Sequence, residues 1–98
     1  MVLSVTIKTP NEKLELIPTI IKNICDENEK IEFIRCHFSS ILPHSCEFSA
    51  VYFVCANDFF TFANARQFVN LRVKEEFEKH KIELALPINE IKMRGDIV

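Results

Sequence analysis

Apolar and polar residues alternate close to the N-terminus. Over the range Ser4 to Lys8, Val5 and Ile7 point to one side of an extended chain and the polar residues to the other. A period of two residues is typical of a strand with one buried face. We therefore predict a first strand here, with Val5 and Ile7 toward the core.

A helix is predicted directly after this strand. Thr9 can act as its N-cap, Pro10 suits the first helical position, and Glu12 can return the capping hydrogen bond. Four apolar residues then recur at helical spacing before about Asn28, which predicts one buried face. They are Leu14, Ile17, Ile21 and Ile24.

The middle of the chain has the pattern of a hairpin. Ile31 to Ile41 predicts a second strand, Leu42 to Ser45 a turn, and Cys46 to Cys55 a third strand. A long helix should follow, because Asn57 and Asp58 can cap its N-terminus and it can run to about His80. Its buried stripe is predicted to be Phe62, Ala65, Val69, Val73 and Phe77.

The last part of the chain adds two short extended segments. Ile82 to Leu86 predicts a fourth strand that ends at Pro87, and Ile88 to Met93 predicts a further strand. The order βαββαβ gives an α+β fold, a ferredoxin-like two-layer sandwich with an additional short C-terminal strand. We expect residues 1–98 to be one domain, with the sandwich at 4–87 and the C-terminal strand and tail at 88–98.

The third strand has apolar residues on both of its sides. The face of a two-layer sandwich that lies away from the helices should be polar, so one set needs a second cover. We expect the uncovered set to be Ala50, Tyr52 and Val54, with Val51, Phe53 and Cys55 on the other side.

The second helix shows the same excess, because Phe68 and Leu71 lie off its main stripe. Two elements that share an excess of apolar surface suggest an interface between subunits. The alternative is a central strand whose outer face is partly covered by loops or by the tail.

Charge and hydropathy exclude two classes of partner. The 12 basic and 14 acidic residues give a net charge of −2 without a basic cluster, so nucleic acid is not expected as a partner. The longest apolar stretch, Ala50 to Ala56, is far shorter than the ~20 residues of a spanning helix. Without a signal peptide we expect a reducing, cytoplasmic location, where Cys25 and Cys55 act as small core residues rather than as halves of disulfides.

The residues that could carry chemistry do not form a recognisable site. Cys36, His37, His44 and Cys46 flank the hairpin and could be zinc ligands, but Cys36 and His37 are adjacent in a strand and should point to opposite faces. His80 lies among charges at a helix end, where it suits the helix dipole. We therefore expect no enzyme activity, no metal and no cofactor.

Several segments together resemble the C-terminal cytoplasmic domain of small-conductance mechanosensitive channels. The resemblance covers about Ser4 to Met93, and it depends on the order and spacing of the segments rather than on one motif. The segments are Thr9-Pro10-Asn11-Glu12-Lys13-Leu14, Ile17-Pro18, Arg35-Cys36-His37-Phe38, Ala50-Val51-Tyr52-Phe53-Val54, Arg66-Gln67, Val69-Asn70-Leu71, Phe77, Ile82-Glu83, Ala85 and Pro87.

The resemblance implies a part of the cytoplasmic vestibule of an ion channel that serves the osmotic response. In that family the domain is heptameric, the membrane helices precede it in the chain, and the vestibule shapes the route of ions and solutes. The tail of each subunit forms a strand of a small barrel, which here would be Ile88 to Met93. We expect identical subunits as partners, contact with the membrane only through preceding segments, and a soluble domain on the cytoplasmic side of the membrane.

From these considerations the candidate interface residues are Tyr52, Val54, Phe68, Leu71, Ile88 and Ile91. One position departs from the family, which usually has glycine where this chain has Lys81, at a site suited to a left-handed helix cap.

An alternative function remains open. The same fold could serve as a stand-alone regulatory module that binds a small ligand or a partner at its open sheet face.

Overall fold

The computed structural model of the chain describes residues 1–85. In this range two helices cover one face of a three-stranded antiparallel sheet with strand order β1-β3-β2. The elements are β1 (Val2–Thr6), α1 (Asn11–Asp26), β2 (Ile31–Ile41), β3 (Ser45–Val54) and α2 (Phe59–Lys79). The predicted hairpin and both predicted helices are confirmed to within a few residues.

The segment after α2 returns to the free edge of β1. Leu84 forms an isolated antiparallel bridge with Val5. The N–H of Thr6 donates to the carbonyl of Glu83 (3.0 Å), and the N–H of Ala85 donates to the carbonyl of Ser4 (2.9 Å). The fourth position of the ferredoxin-like sheet is therefore occupied, and the predicted fold class is confirmed. The predicted strand Ile82 to Leu86 is reduced to this bridge, and residue 86 lies outside the described range.

The N-terminal strand is shifted from the prediction. β1 begins at Val2, so Leu3 and Val5 point into the core, whereas Ile7 follows the strand and is 43% exposed. The predicted cap at Thr9 is also wrong. The hydroxyl of Thr9 donates to the carbonyl of Thr6 (2.8 Å), and α1 begins after Pro10 without a side-chain cap.

The core lies between the sheet and the two helices. α1 packs on β2 and buries all four residues of its predicted stripe, together with Ile20 and Cys25. α2 buries its predicted stripe from Ala65 to Phe77, but Phe62 is 42% exposed and does not belong to it. Cys25 is fully buried, as predicted, whereas Cys55 is exposed and the prediction for it is wrong.

The two ends of α2 are closed in different ways. At the N-terminus the carboxylate of Asp58 accepts from the N–H of Thr61 (2.8 Å), which confirms the predicted cap. At the C-terminus the N–H of Ile82 donates to the carbonyl of Phe77 (2.7 Å), and Lys81 has a φ of 59°. This is a Schellman motif with lysine in the left-handed position, the site for which the resemblance implied a left-handed helix cap.

Candidate subunit interface

The pairing of β3 with its neighbours decides which of its residues face the helices. Opposed residues in an antiparallel pair point to the same side, and Leu3 and Val5 pair with Phe48 and Cys46 in the core. The even-numbered residues of β3 therefore face the helices. Ala50 is 0% exposed, so the expectation that its side of the strand is uncovered is wrong.

The candidate residues of this set are half-sheltered within one copy. Tyr52 and Val54 pack against the core as partly buried residues, and so does Phe68 of α2. Burial also raises the pKa of the Tyr52 hydroxyl above its usual range. Leu71 is more than half exposed on α2. Ile88 and Ile91 lie outside the described residues.

The opposite face of the sheet is mostly polar, as a face in water should be. The apolar residues Val2, Val51 and Phe53 of this face lie toward one end, and Ile34, in the bulge of β2 between Phe33 and Arg35, is also exposed. The sequence suggested an uncovered apolar set along β3, whereas the outer side of this strand is apolar only at Val51 and Phe53. The polar residues of this face are Ser4, Thr6, Glu32, Arg35, His37, Ser40, Glu47 and Ser49.

Four exposed phenylalanines gather where β3 ends and α2 begins. We call Phe53, Phe59, Phe60 and Phe62 the aromatic end. Phe59 and Phe60 are 76% and 78% exposed, Phe53 is 62% exposed, and the rings of Phe59 and Phe60 meet edge to face at 6.5 Å. Asp58 starts α2 four residues after β3, and Phe62 lines a cavity of about 630 Å³ together with Phe53 and residues at the start of β1.

Sequence reasoning missed most of the aromatic end. Phe62 was assigned to the buried stripe, and Phe53 to the side of β3 opposite the uncovered set. The available signal was the run of Phe59, Phe60 and Phe62 directly after a strong N-cap, since one helical turn cannot bury three such rings on a single face.

A second apolar surface lies toward the other end of the hairpin. A groove of about 350 Å³ runs between the first turns of α1 and the edge strand β2. Phe38 forms part of its wall and stacks on Phe48 with a centroid distance of 5.0 Å. We call this the turn-end groove, and its lining residues are Asn11, Leu14, Glu15, Pro18, Cys36, His37, Phe38 and Phe48.

Charged groups stand beside both surfaces. The guanidinium of Arg66 lies 5.8 Å from the centre of the Phe62 ring, a distance at which a cation is attracted to the ring face. Arg66 forms no ion pair with another residue of the described range, and neither does Glu15 at the groove.

The arrangement of the potential metal ligands follows the predicted geometry. Cys36 pairs with Ala50 on the helix side of the sheet, whereas His37 pairs with Ser49 on the outer side. Within residues 1–85 no three His, Cys, Asp or Glu side chains are placed so that they could share a metal ion.

Burial and the neighbouring charge of Asp26 raise the pKa of the Cys25 thiol to about 11, which keeps it protonated near neutral pH.

Neither helix in the described part of the chain combines the length and the apolar character that a bilayer crossing requires.

Comparison with known proteins assigns residues 1–84 to the family model described as "Mechanosensitive ion channel MscS, C-terminal".

Two proteins of Methanocaldococcus jannaschii are similar to the chain. The small-conductance mechanosensitive channel MscMJ is 34% identical over 97 residues, which cover 98% of this chain and 28% of the relative. The large-conductance mechanosensitive channel MscMJLR is 31% identical over 99 residues, which cover 96% of this chain and 27% of the relative. The chain thus spans a little more than a quarter of the length of these relatives.

Proposed function

Because the chain belongs to the family of C-terminal domains of MscS-type mechanosensitive ion channels, we propose that it assembles with identical copies into part of a channel's cytoplasmic vestibule. In this role it acts structurally. It would hold subunits together and shape the route that ions and small solutes take to the pore. The matches to two channels over nearly the whole chain support the proposal.

The aromatic end is the observation that carries the assembly part of the proposal. Isolated apolar residues on a surface need no explanation, but four phenylalanines grouped at one end of a small domain indicate a contact surface. Burying one exposed phenylalanine ring contributes roughly 1.5–3 kcal/mol, so a neighbouring copy gains substantially by covering this end. Leu71 lies exposed on the same helix and remains a candidate contact, as do Ile88 and Ile91 of the tail.

Self-association of the 98-residue chain tests the proposal. We expect wild type to associate as its concentration rises, and Phe60→Asp to weaken association by at least tenfold, because a carboxylate would have to be desolvated in the contact. Sedimentation velocity between micromolar and millimolar concentration measures this. Phe60 is almost fully exposed, so circular dichroism should show an unchanged fold.

The matched control is Asn23→Asp, which adds a carboxylate at an exposed position of α1 that belongs neither to the aromatic end nor to the turn-end groove. It should associate like wild type. A wild type that stays monomeric throughout the range, or a Phe60→Asp variant that associates as strongly as wild type, would contradict the proposal.

A further inference from the structure

Two cavities lie on either side of one row of side chains on α2. Phe62, Arg66 and Asn70 follow one another at a spacing of four residues, and all three line both cavities. The larger cavity, of about 630 Å³, lies between this row and the end of β3. The smaller one, of about 480 Å³, continues along the other side of the helix. Both volumes are in the range of sites that bind small molecules.

The walls of the larger cavity are mainly apolar. The first residue of β1 pairs with Ser49, whereas β3 continues to Val54, so the last part of β3 extends beyond its neighbour on this side. The rings of Tyr52, Phe53 and Phe62 therefore border a space that the described part of the sheet does not fill. Aromatic rings in such positions can stack on a planar apolar group or meet it edge to face.

The polar groups of the larger cavity lie on the side of α2. Arg66 provides the only charged side chain in the described lining, and its guanidinium lies 5.8 Å from the centre of the Phe62 ring. Burial raises the pKa of the Tyr52 hydroxyl, and the neighbouring Arg66 partly offsets this rise, so the two groups are close to each other. The amide of Asn70 follows one helical turn later.

The charge in both cavities is positive, although the whole chain has a net charge of −2. Among residues 1–85 no carboxylate side chain lines either cavity. Lys74 at the smaller cavity pairs with Glu78 at 2.7 Å, whereas Arg66 forms no ion pair within the same range. The cavities therefore favour a negatively charged ligand, and Arg66 is the group that can neutralise it.

From these observations we propose that the larger cavity binds a small organic anion that combines a carboxylate with an aromatic body. The carboxylate accepts hydrogen bonds from the guanidinium of Arg66, whose fork of N–H donors matches its two oxygens. The aromatic body lies among the rings at the end of β3. One cation without an ion pair suits a carboxylate with a single charge better than a phosphate with two. This binding site is a property of one copy and goes beyond the assembly described under Proposed function.

A titration of the 98-residue chain with phenylbutyrate, followed by heteronuclear NMR, tests the site. We expect an affinity in the roughly millimolar range, as is usual for a ligand of this size. The shifts should be confined to the end of β3, the start of β1 and the first half of α2. Phenylbutanol, the neutral analogue, should bind about tenfold more weakly, because it cannot form a charge-assisted pair.

Substitution of the arginine separates the charge from the apolar walls. Arg66→Met should weaken the binding of phenylbutyrate about tenfold and leave that of phenylbutanol unchanged, so that the preference for the anion is lost. Arg66→Lys should retain a smaller preference, because it keeps the charge without the fork of donors. The matched control is Lys8→Met, which removes an exposed positive charge beyond the opposite end of β1 and should change neither affinity.

The outcomes are independent of assembly. Phe60 lines neither cavity, so the Phe60→Asp chain should also bind phenylbutyrate in preference to the alcohol. A titration that gives no saturable shifts through the millimolar range, or an Arg66→Met variant that still prefers the anion, would overturn the ligand site and leave the assembly standing. A preference present in wild type and lost in Phe60→Asp would contradict a site within one copy.

Discussion

Lys81 adopts the backbone conformation that glycine adopts most easily. Its φ of 59° lies in the left-handed region, which costs a residue with a Cβ atom roughly 1–2 kcal/mol. The chain accepts this cost because the left-handed residue lets Lys81 and Ile82 donate to the carbonyls of Glu78 and Phe77. It also brings Ile82 into the core beside Phe77. The side chain of Lys13 reaches across from α1 and donates to the carbonyl of His80, which stabilises the same helix end.

Replacing this lysine should therefore stabilise the fold. We expect Lys81→Gly to raise the free energy of unfolding by about 0.5–1 kcal/mol, because the relief of strain exceeds the greater entropy of glycine in the unfolded chain. Urea unfolding at pH 7 measures the change. Lys79→Gly is the matched control, since Lys79 is still helical and its replacement should cost about 1 kcal/mol. A destabilised Lys81→Gly protein would show that the lysine side chain makes a contact that outweighs the strain.

Between the elements, Arg72 ties the two helices together. Its guanidinium donates two hydrogen bonds of 2.8 Å to Glu27, the residue that follows α1, and one of 2.7 Å to Glu75. Glu76, which is largely covered, lies 3.2 Å from the same guanidinium. The hydrogen bonds from Arg72 lower the pKa of Glu27, and those from Thr61 lower the pKa of Asp58.

These shifts predict how acid acts on the fold. A carboxyl group whose pKa is lower in the folded state adds stability above its unfolded value, near 4.3 for Glu, and loses it as the pH falls through the folded value. We expect Arg72→Met to lower the urea midpoint at pH 7 and to differ less from wild type at pH 3. Lys74→Met, which removes only the exposed pair with Glu78, is the control and should change little. An equal difference at both pH values would show that the loss comes from packing.

The elements whose apolar residues follow one clear period were predictable from the sequence. α1, β2 and α2 appear near their predicted bounds because each has one dominant apolar face, and β3 does so because its apolar run follows directly on the turn after β2. Prediction failed at β3, where both sides are apolar and only the pairing with β1 places Ala50 inside. It also failed at Phe62, which has the spacing of the buried stripe but is 42% exposed beside Phe53 and Arg66, at the rim of a cavity. In both places the tertiary arrangement decides burial, and a local pattern does not contain it.

At the scale of the whole molecule, the aromatic end is an apolar surface that residues 1–85 of a single copy do not cover. The sequence indicated the family, and it also indicated that the domain has more apolar surface than one copy can bury. It assigned part of that surface to Tyr52 and Val54, however, and did not identify Phe59 and Phe60. The interface residues remain a prediction, and the proposed channel role can be tested directly on a relative.

Replacing the matching segment of MscMJ with this chain should preserve pressure-activated currents in patched liposomes, because the domains share a family and a third of their residues. The same graft with Phe60→Asp should reduce the number of active channels severalfold, since fewer subunits assemble. The graft with Asn23→Asp should behave like the unmodified graft. Grafts that assemble normally but never open would contradict the proposed role in the channel.

In the sheet β3 pairs with β2, which is close to it in the sequence, and with β1, which is far from it. This difference affects the order in which the strands pair during folding. Three residues separate β2 from β3, whereas about 38 residues separate β1 from β3. Closing the longer loop costs about 2 kcal/mol more in chain entropy. The hairpin can therefore form on its own early in folding, while β1 joins it only once α1, the helix between them in the chain, has condensed.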